Sequence, residues 1–277
     1  MRNIVVPVDF SSVSVKALEC AITIAGRITG EIGVIHVNRV NAFASLFGAG
    51  KAADNVGDVE KSMDELLKST NFRGIKYSHT LRTGSVAKEI ASYAEESAAY
   101  MIVIGSKQES EAKPSWMAEY ATKVVSTAPC PVLSVPFSQK PFDIRKIVLP
   151  IDTTISTRHK VPFTAEIANF FRAEIIVLGT CLDESEEFVS KLDGYCFQVR
   201  KFLNQANVPN EYQFVAGSNI SKMTIEYATK VNADIISIMT EQDAGIMQSA
   251  YVRQMLAHST VPVLSMHKAF EAEQFQY

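Results

Sequence analysis

Two aspartates stand in matching settings, Asp9 in RNIVVPVDFS (Arg2 to Ser11) and Asp152 in RKIVLPIDTT (Arg145 to Thr154). Each closes an apolar run that contains a proline, Pro7 or Pro150, and each precedes hydroxyl residues. Taken alone, such an aspartate starts the turn and caps the helix that follows. Gly105 ends a third apolar run, Tyr100 to Gly105, ahead of a polar loop. A glycine there would let backbone N–H groups approach an anion, with a helix N-terminus behind them. His36 lies in the apolar segment IHV and reads as a hydrogen-bonded core residue. The five histidines fall at no metal-ligand spacing, and there is neither an HExxH nor a close cysteine pair. No serine sits in GxSxG, and no GxxxxGK[ST] occurs, so the residues make no case for catalysis or for a metal.

The elements that position these residues occur twice. TGSVAKEIASYA (Thr83 to Ala94) matches AGSNISKMTIEYA (Ala216 to Ala228), and CPVLSVP (Cys130 to Pro136) matches VPVLSMH (Val261 to His267). With the two aspartate segments, the matches keep their order at a domain-sized spacing of about 140 residues. PFSQKPFD (Pro136 to Asp143) has the prolines and polar residues of a linker, which predicts domains at residues 1–139 and 140–277.

In the first copy the pattern predicts strands at Asn3–Val8, Ile32–Val37, Ile75–Leu81, Tyr100–Gly105 and Pro131–Val135. Helices are expected at Val13–Ile28, Val59–Ser69, Val86–Glu96 and Ser115–Ser126, the first capped by Ser11 or Ser12. Strands near Lys146–Ile151, Glu174–Leu178, Glu211–Val215, Asp234–Met239 and Val261–Ser265 repeat the order. The runs are nearly continuous in apolar residues, as in strands covered by helices on both faces. The fold class is therefore α/β, with a doubly wound five-stranded parallel sheet in each half.

Composition bounds the function. The chain has 277 residues, 47% hydrophobic and 21% charged, with a net charge of −3. That balance suits a protein with a real core and makes no electrostatic case for nucleic acid or an anionic membrane. No stretch approaches the roughly 18 apolar residues of a membrane span. The start, MRNIVVPVDF, is too short in its apolar run for a secretory leader. Cys20, Cys130, Cys181 and Cys196 are widely spaced, which suits a reducing compartment, so a cytoplasmic location is expected.

Together IVVPVDFS, IVLPIDTT, GVIHV, TGSVAKEIASYAEE, IVIGS and APCPVLSVP resemble the universal stress protein family in its tandem form. The resemblance covers nearly the whole chain. It implies a Rossmann-like sandwich of the adenine-nucleotide alpha-hydrolase type in each half, with the halves paired about a pseudo-twofold axis through their last strands, an internal pseudo-dimer. Many members hold ATP through Gly, two residues, Gly, nine residues, then Gly and Ser or Thr. Here Gly105 matches the first glycine, but Gln108 takes the second place and Ala118-Glu119 the closing pair. In the second copy Met239 stands at the first glycine, and the closing pair falls near Ser249-Ala250. Glu109, Glu111 and Glu119 outnumber Lys107 and Lys113 in the first loop, and Glu241 and Asp243 sit in the second, wrong charges for a polyphosphate.

The expectation is a non-catalytic stress protein with degenerate phosphate loops and no cofactor, acting through an unidentified protein partner or self-association. The alternative is an ATP-binding form whose candidate contacts are Pro7, Asp9, Val37 and Gly105, and more weakly Asp152; Thr180 corresponds to Val37. Two features could serve a partner. The loop Asn38–Gly57 is long and carries Phe43, Leu46 and Phe47. Trp116, the one tryptophan, follows Pro114 and reads mainly as a packing residue. DESEEF (Asp183 to Phe188) reads as a solvated helix start.

Overall fold

The structure, a computed structural model, describes residues 1–39, 56–107, 116–138, 140–154, 156–182, 185–240 and 248–267. The chain divides into two compact units, Met1–Lys140 and Pro141–Tyr277. The expectations placed on Phe43, Leu46, Phe47, Gln108, Glu109, Glu111, Lys113, Pro114, Asp183, Glu241 and Asp243 lie outside the described residues.

The first unit runs β1 (Arg2–Pro7), α1 (Ser12–Ile28), β2 (Gly30–Arg39), α2 (Val56–Ser69), β3 (Tyr77–Gly84), α3 (Val86–Glu96), β4 (Ala99–Lys107), α4 (Trp116–Thr127) and β5 (Val132–Pro136). Its strands are parallel in the order β3-β2-β1-β4-β5. The order reverses between β1 and β4, so the crevice outside their carboxyl ends is the topological switch point, where such sheets take ligands. Asp9 follows β1, and Gly105 is near the end of β4, which brings both to that crevice.

α1 forms because Val13, Ala17, Leu18, Ala21, Ile24, Ala25 and Ile28 recur on one face, and that face is buried. Ser11 caps it, its side chain accepting from the Ser14 amide. Its other end turns through Thr29 in the left-handed region (φ 55°), whose amide donates to the Ala25 carbonyl. Burying side chains such as Leu18, Ile24 and Ile28 stabilises the unit by about 1.5–3 kcal/mol each.

The second unit repeats the plan: β6 (Lys146–Ile151), a 3-10 turn (Ser156–Arg158), α5 (Val161–Phe171), β7 (Glu174–Cys181), α6 (Glu186–Gln205), β8 (Asn210–Ala216), α7 (Ile220–Lys230), β9 (Ile235–Met239), α8 (Gln248–His258) and β10 (Val263–Met266). The strands are again parallel, in the order β10-β9-β6-β7-β8. α6 begins with exposed Glu186 and Glu187, acids in the first turn of a helix.

Three local expectations are corrected. Helices do not cover every strand on both faces. β6 and β9 in the second unit are almost wholly buried and β1 and β4 in the first unit mostly so, whereas the edge strands β3 and β8 are half-buried or exposed along their whole length. β3 also starts later than Ile75, because Arg73 (φ 53°) and Gly74 (φ 78°) make a left-handed turn and the Ile75 amide donates back to the Phe72 carbonyl. Nor does the first helix repeat as one piece. Pro162 has no N–H to give a helix interior, so the helix restarts around it, with the proline in the first turn of α5 and a 3-10 turn before it.

Candidate functional site

At the carboxyl end of β1, Asp9 is tied into its own turn. Its Oδ1 accepts from the Ser11 amide at 3.2 Å and the Ser11 hydroxyl at 2.5 Å, while its amide donates to Ser14 Oγ at 3.3 Å. The second unit spells the same motif in threonine. Asp152 Oδ1 accepts from the Thr154 amide at 2.8 Å and hydroxyl at 2.5 Å, and its amide donates to Thr157 Oγ1 at 3.2 Å. In both, the carboxylate organises the strand-to-helix turn. Pro7 and Pro150 are buried immediately before these turns.

Between Asp9 and Ser11, Phe10 adopts a left-handed conformation (φ 62°) that an aromatic residue rarely takes. Its ring stacks on His36, centroids 4.8 Å apart. His36 is 3% exposed, and its Nδ1 lies 2.8 Å from the Val8 carbonyl, an acceptor, so Nδ1 carries a proton. Val37 is buried next to it, near the end of β2.

Gly105 packs against α1. A Cβ there would lie 2.9 Å from the Val13 carbonyl oxygen and 3.0 Å from both Val13 C and Cγ2. The first turn of α1 occupies the space that a side chain would need. In the second unit Met239 stands at this place, and the residue matching Val13 is Ser156, in the 3-10 turn rather than a helix. Met239 is 4% exposed and points its bulk into the switch crevice.

That crevice is nearly filled in the second unit. Asp152, Thr157, Lys160, Thr180, Met239 and Tyr251 line a cavity of about 10 Å³, the room of one water. Lys160 is 2% exposed, its ammonium donating to the Thr157 carbonyl at 2.6 Å and to Thr157 Oγ1 at 3.2 Å. Thr180 donates to the Ile151 carbonyl at 3.2 Å. Tyr251 enters from α8, and desolvation of its hydroxyl, with the Asp152 charge nearby, pushes its pKa up.

Lys160 and Tyr251 were not among the expected site residues. The signal for Tyr251 is its register: it precedes the last strand at the spacing Tyr120 has in the first copy. Lys160 falls opposite Ala17, so the only hint was a charge in register with a core alanine. Among the described residues no group of three His, Cys, Asp or Glu could hold a metal ion, and no helix is long and apolar enough to cross a membrane.

Residues 1–136 match the model of the universal stress protein family. The first unit belongs to that family. Universal stress protein MJ0531 of Methanocaldococcus jannaschii is 29% identical over 139 residues, 48% of this chain and 81% of that protein. Universal stress protein YxiE of Bacillus subtilis is also 29% identical, over 145 residues, 48% of this chain and 98% of its own. A universal stress protein of Archaeoglobus fulgidus superposes with a TM-score of 0.71 at 16% identity, covering 96% of both chains. The likeness in fold thus extends over both units. At about twice the length of one stress protein domain, with the plan of the first unit repeated in the second, the chain has the tandem form. Universal stress proteins are generally not catalytic, and the family supports a role in stress adaptation.

Proposed function

We propose that this tandem universal stress protein acts in stress adaptation without catalysis, through protein interaction or self-association, and that neither unit holds a nucleotide in the family's manner. The observation that carries this reading is the filled crevice of the second unit. A cavity of about 10 Å³ between Asp152, Lys160, Met239 and Tyr251 is far below the roughly 300 Å³ at which small-molecule pockets begin. These residues do not fit an adenine nucleotide. In the first unit, the contact of Gly105 with the Val13 backbone supports a packing role for that glycine. Asp9, the other candidate contact there, has Oδ1 engaged by Ser11. Members of the family often self-associate, which makes a second copy the first partner to seek.

Mass spectrometry of the freshly purified protein tests this, followed by thermal unfolding with and without ATP and Mg²⁺. A ligand at about one hundred times its Kd stabilises a protein by about 2.7 kcal/mol. The reading predicts no carried nucleotide and an unchanged midpoint at millimolar ATP. A co-purified adenine nucleotide or a clear upward shift would overturn it.

A further inference from the structure

A second cavity lies in the second unit and shares no lining residue with the switch crevice. It has about 470 Å³ and lies between the 3-10 turn with the start of α5 and the carboxyl half of α6. We propose that it binds a small amphipathic carboxylate, an apolar body with a single anionic head.

Its floor is apolar. Val161 and Val199 are each 3% exposed, and Phe202 is half-buried between them and solvent. Its rim is polar and cationic: Arg158, His159, Gln198, Lys201 and Gln205 line it, and no aspartate or glutamate does among the described residues. The volume is within the ordinary range for small-molecule sites.

Arg158 is pre-organised for an anion. Its guanidinium sits 4.1 Å from the centre of the Tyr195 ring, and its Nη1 donates to Gln198 Oε1. The stack and the amide contact fix the planar fork, so little rotamer freedom is left to lose on binding. Its Nε is buried, with no hydrogen-bond partner among the described residues, so the outer guanidinium nitrogens are the ones left to meet an anion.

The first unit lacks this arrangement. ELLKSTNF (Glu65 to Phe72) matches KFLNQANV (Lys201 to Val208), which puts Glu65 opposite Lys201, and Val15 opposite Arg158. The charge is inverted where the second unit places its rim cation. The site is a property of the second unit alone, and it is independent of what the switch crevice does.

Calorimetric titration of the full chain with octanoate, octan-1-ol and acetate tests the proposal. Octanoate should bind saturably, one per chain, and at least about tenfold tighter than octanol, which lacks the charge, or acetate, which lacks the body. Lys201 is exposed, so Lys201→Glu leaves the fold intact, and it should weaken octanoate about tenfold or more. Arg158→Lys keeps the charge but loses the fork and should weaken it several-fold, whereas Glu65→Lys should change nothing. Equal binding of octanol, equal binding of acetate, no saturation at millimolar octanoate, or an unaffected Lys201→Glu variant would each overturn the assignment.

Discussion

Replacing Gly105 with alanine separates two reasons for a glycine at the end of β4. The added Cβ would lie 2.9 Å from the Val13 carbonyl oxygen, closer than side chains essentially ever come, and 3.0 Å from the carbonyl carbon, itself a tight contact. Both are backbone atoms in the first turn of α1, and Ser11 caps that turn through the Ser14 amide. The helix must therefore shift as a body or the strand must bend. Overpacking of this kind costs about 1–3 kcal/mol. If the glycine served only to admit a ligand, alanine would be neutral, or would stabilise by about 0.4–1 kcal/mol through the unfolded chain. The two readings differ in sign. Urea unfolding followed by circular dichroism measures the difference as a shift of midpoint at constant slope. A lower midpoint for Gly105→Ala is expected. A midpoint equal to or above that of the parent protein would refute the packing argument.

Other outcomes follow from the same geometry. Thr29 is an exposed β-branched residue in the left-handed region at the end of α1, so Thr29→Gly should stabilise by about 1 kcal/mol, read from the same urea curves. Met239→Gly should destabilise by at least about 2 kcal/mol, because it empties a buried thioether side chain from the crevice. The Arg82 fork on Glu96, at 3.0 and 2.5 Å, and the Ser92 hydroxyl hold the Glu96 carboxyl at about 2. A depressed carboxyl favours the fold above the ordinary value of 4.5 and loses that contribution as pH falls toward about 2. Carboxyl NMR should place the midpoint there, and Arg82→Gln should return it to the ordinary range. Burial pushes the Cys20, Cys130 and Cys196 thiols up to about 12, and all four cysteines are buried, so a disulfide reagent should leave them untouched until the protein unfolds.

Much of the fold was legible because local and long-range signals agree. The predicted bounds of α3 and β6 coincide with the observed Val86–Glu96 and Lys146–Ile151, where the apolar pattern is unambiguous. β3 moved because the left-handed turn at Arg73 and Gly74 overrides the β-branched Ile75. The break before α5 was written in Pro162 and hidden by reading the second copy as a repeat of the first. The site was less legible. The turn roles of Asp9 and Asp152 follow from their immediate neighbours, since both bind hydroxyls two residues on. Lys160 follows Asp152 in the same strand-to-helix connection, whereas Tyr251 meets it only after three crossovers bring α8 to that end of the sheet. Gly105 has its reason in the backbone of Val13, a residue far away in sequence, and no local pattern carries that contact.

The proposed function holds only if neither unit binds a nucleotide in the family's manner. Calorimetric titration of the intact protein with ATP and Mg²⁺ measures this directly. The account predicts no heat beyond dilution up to millimolar ligand. Saturable micromolar binding at one site per chain would contradict it and would place the nucleotide in the first unit, against Pro7, Asp9, Val37 and Gly105.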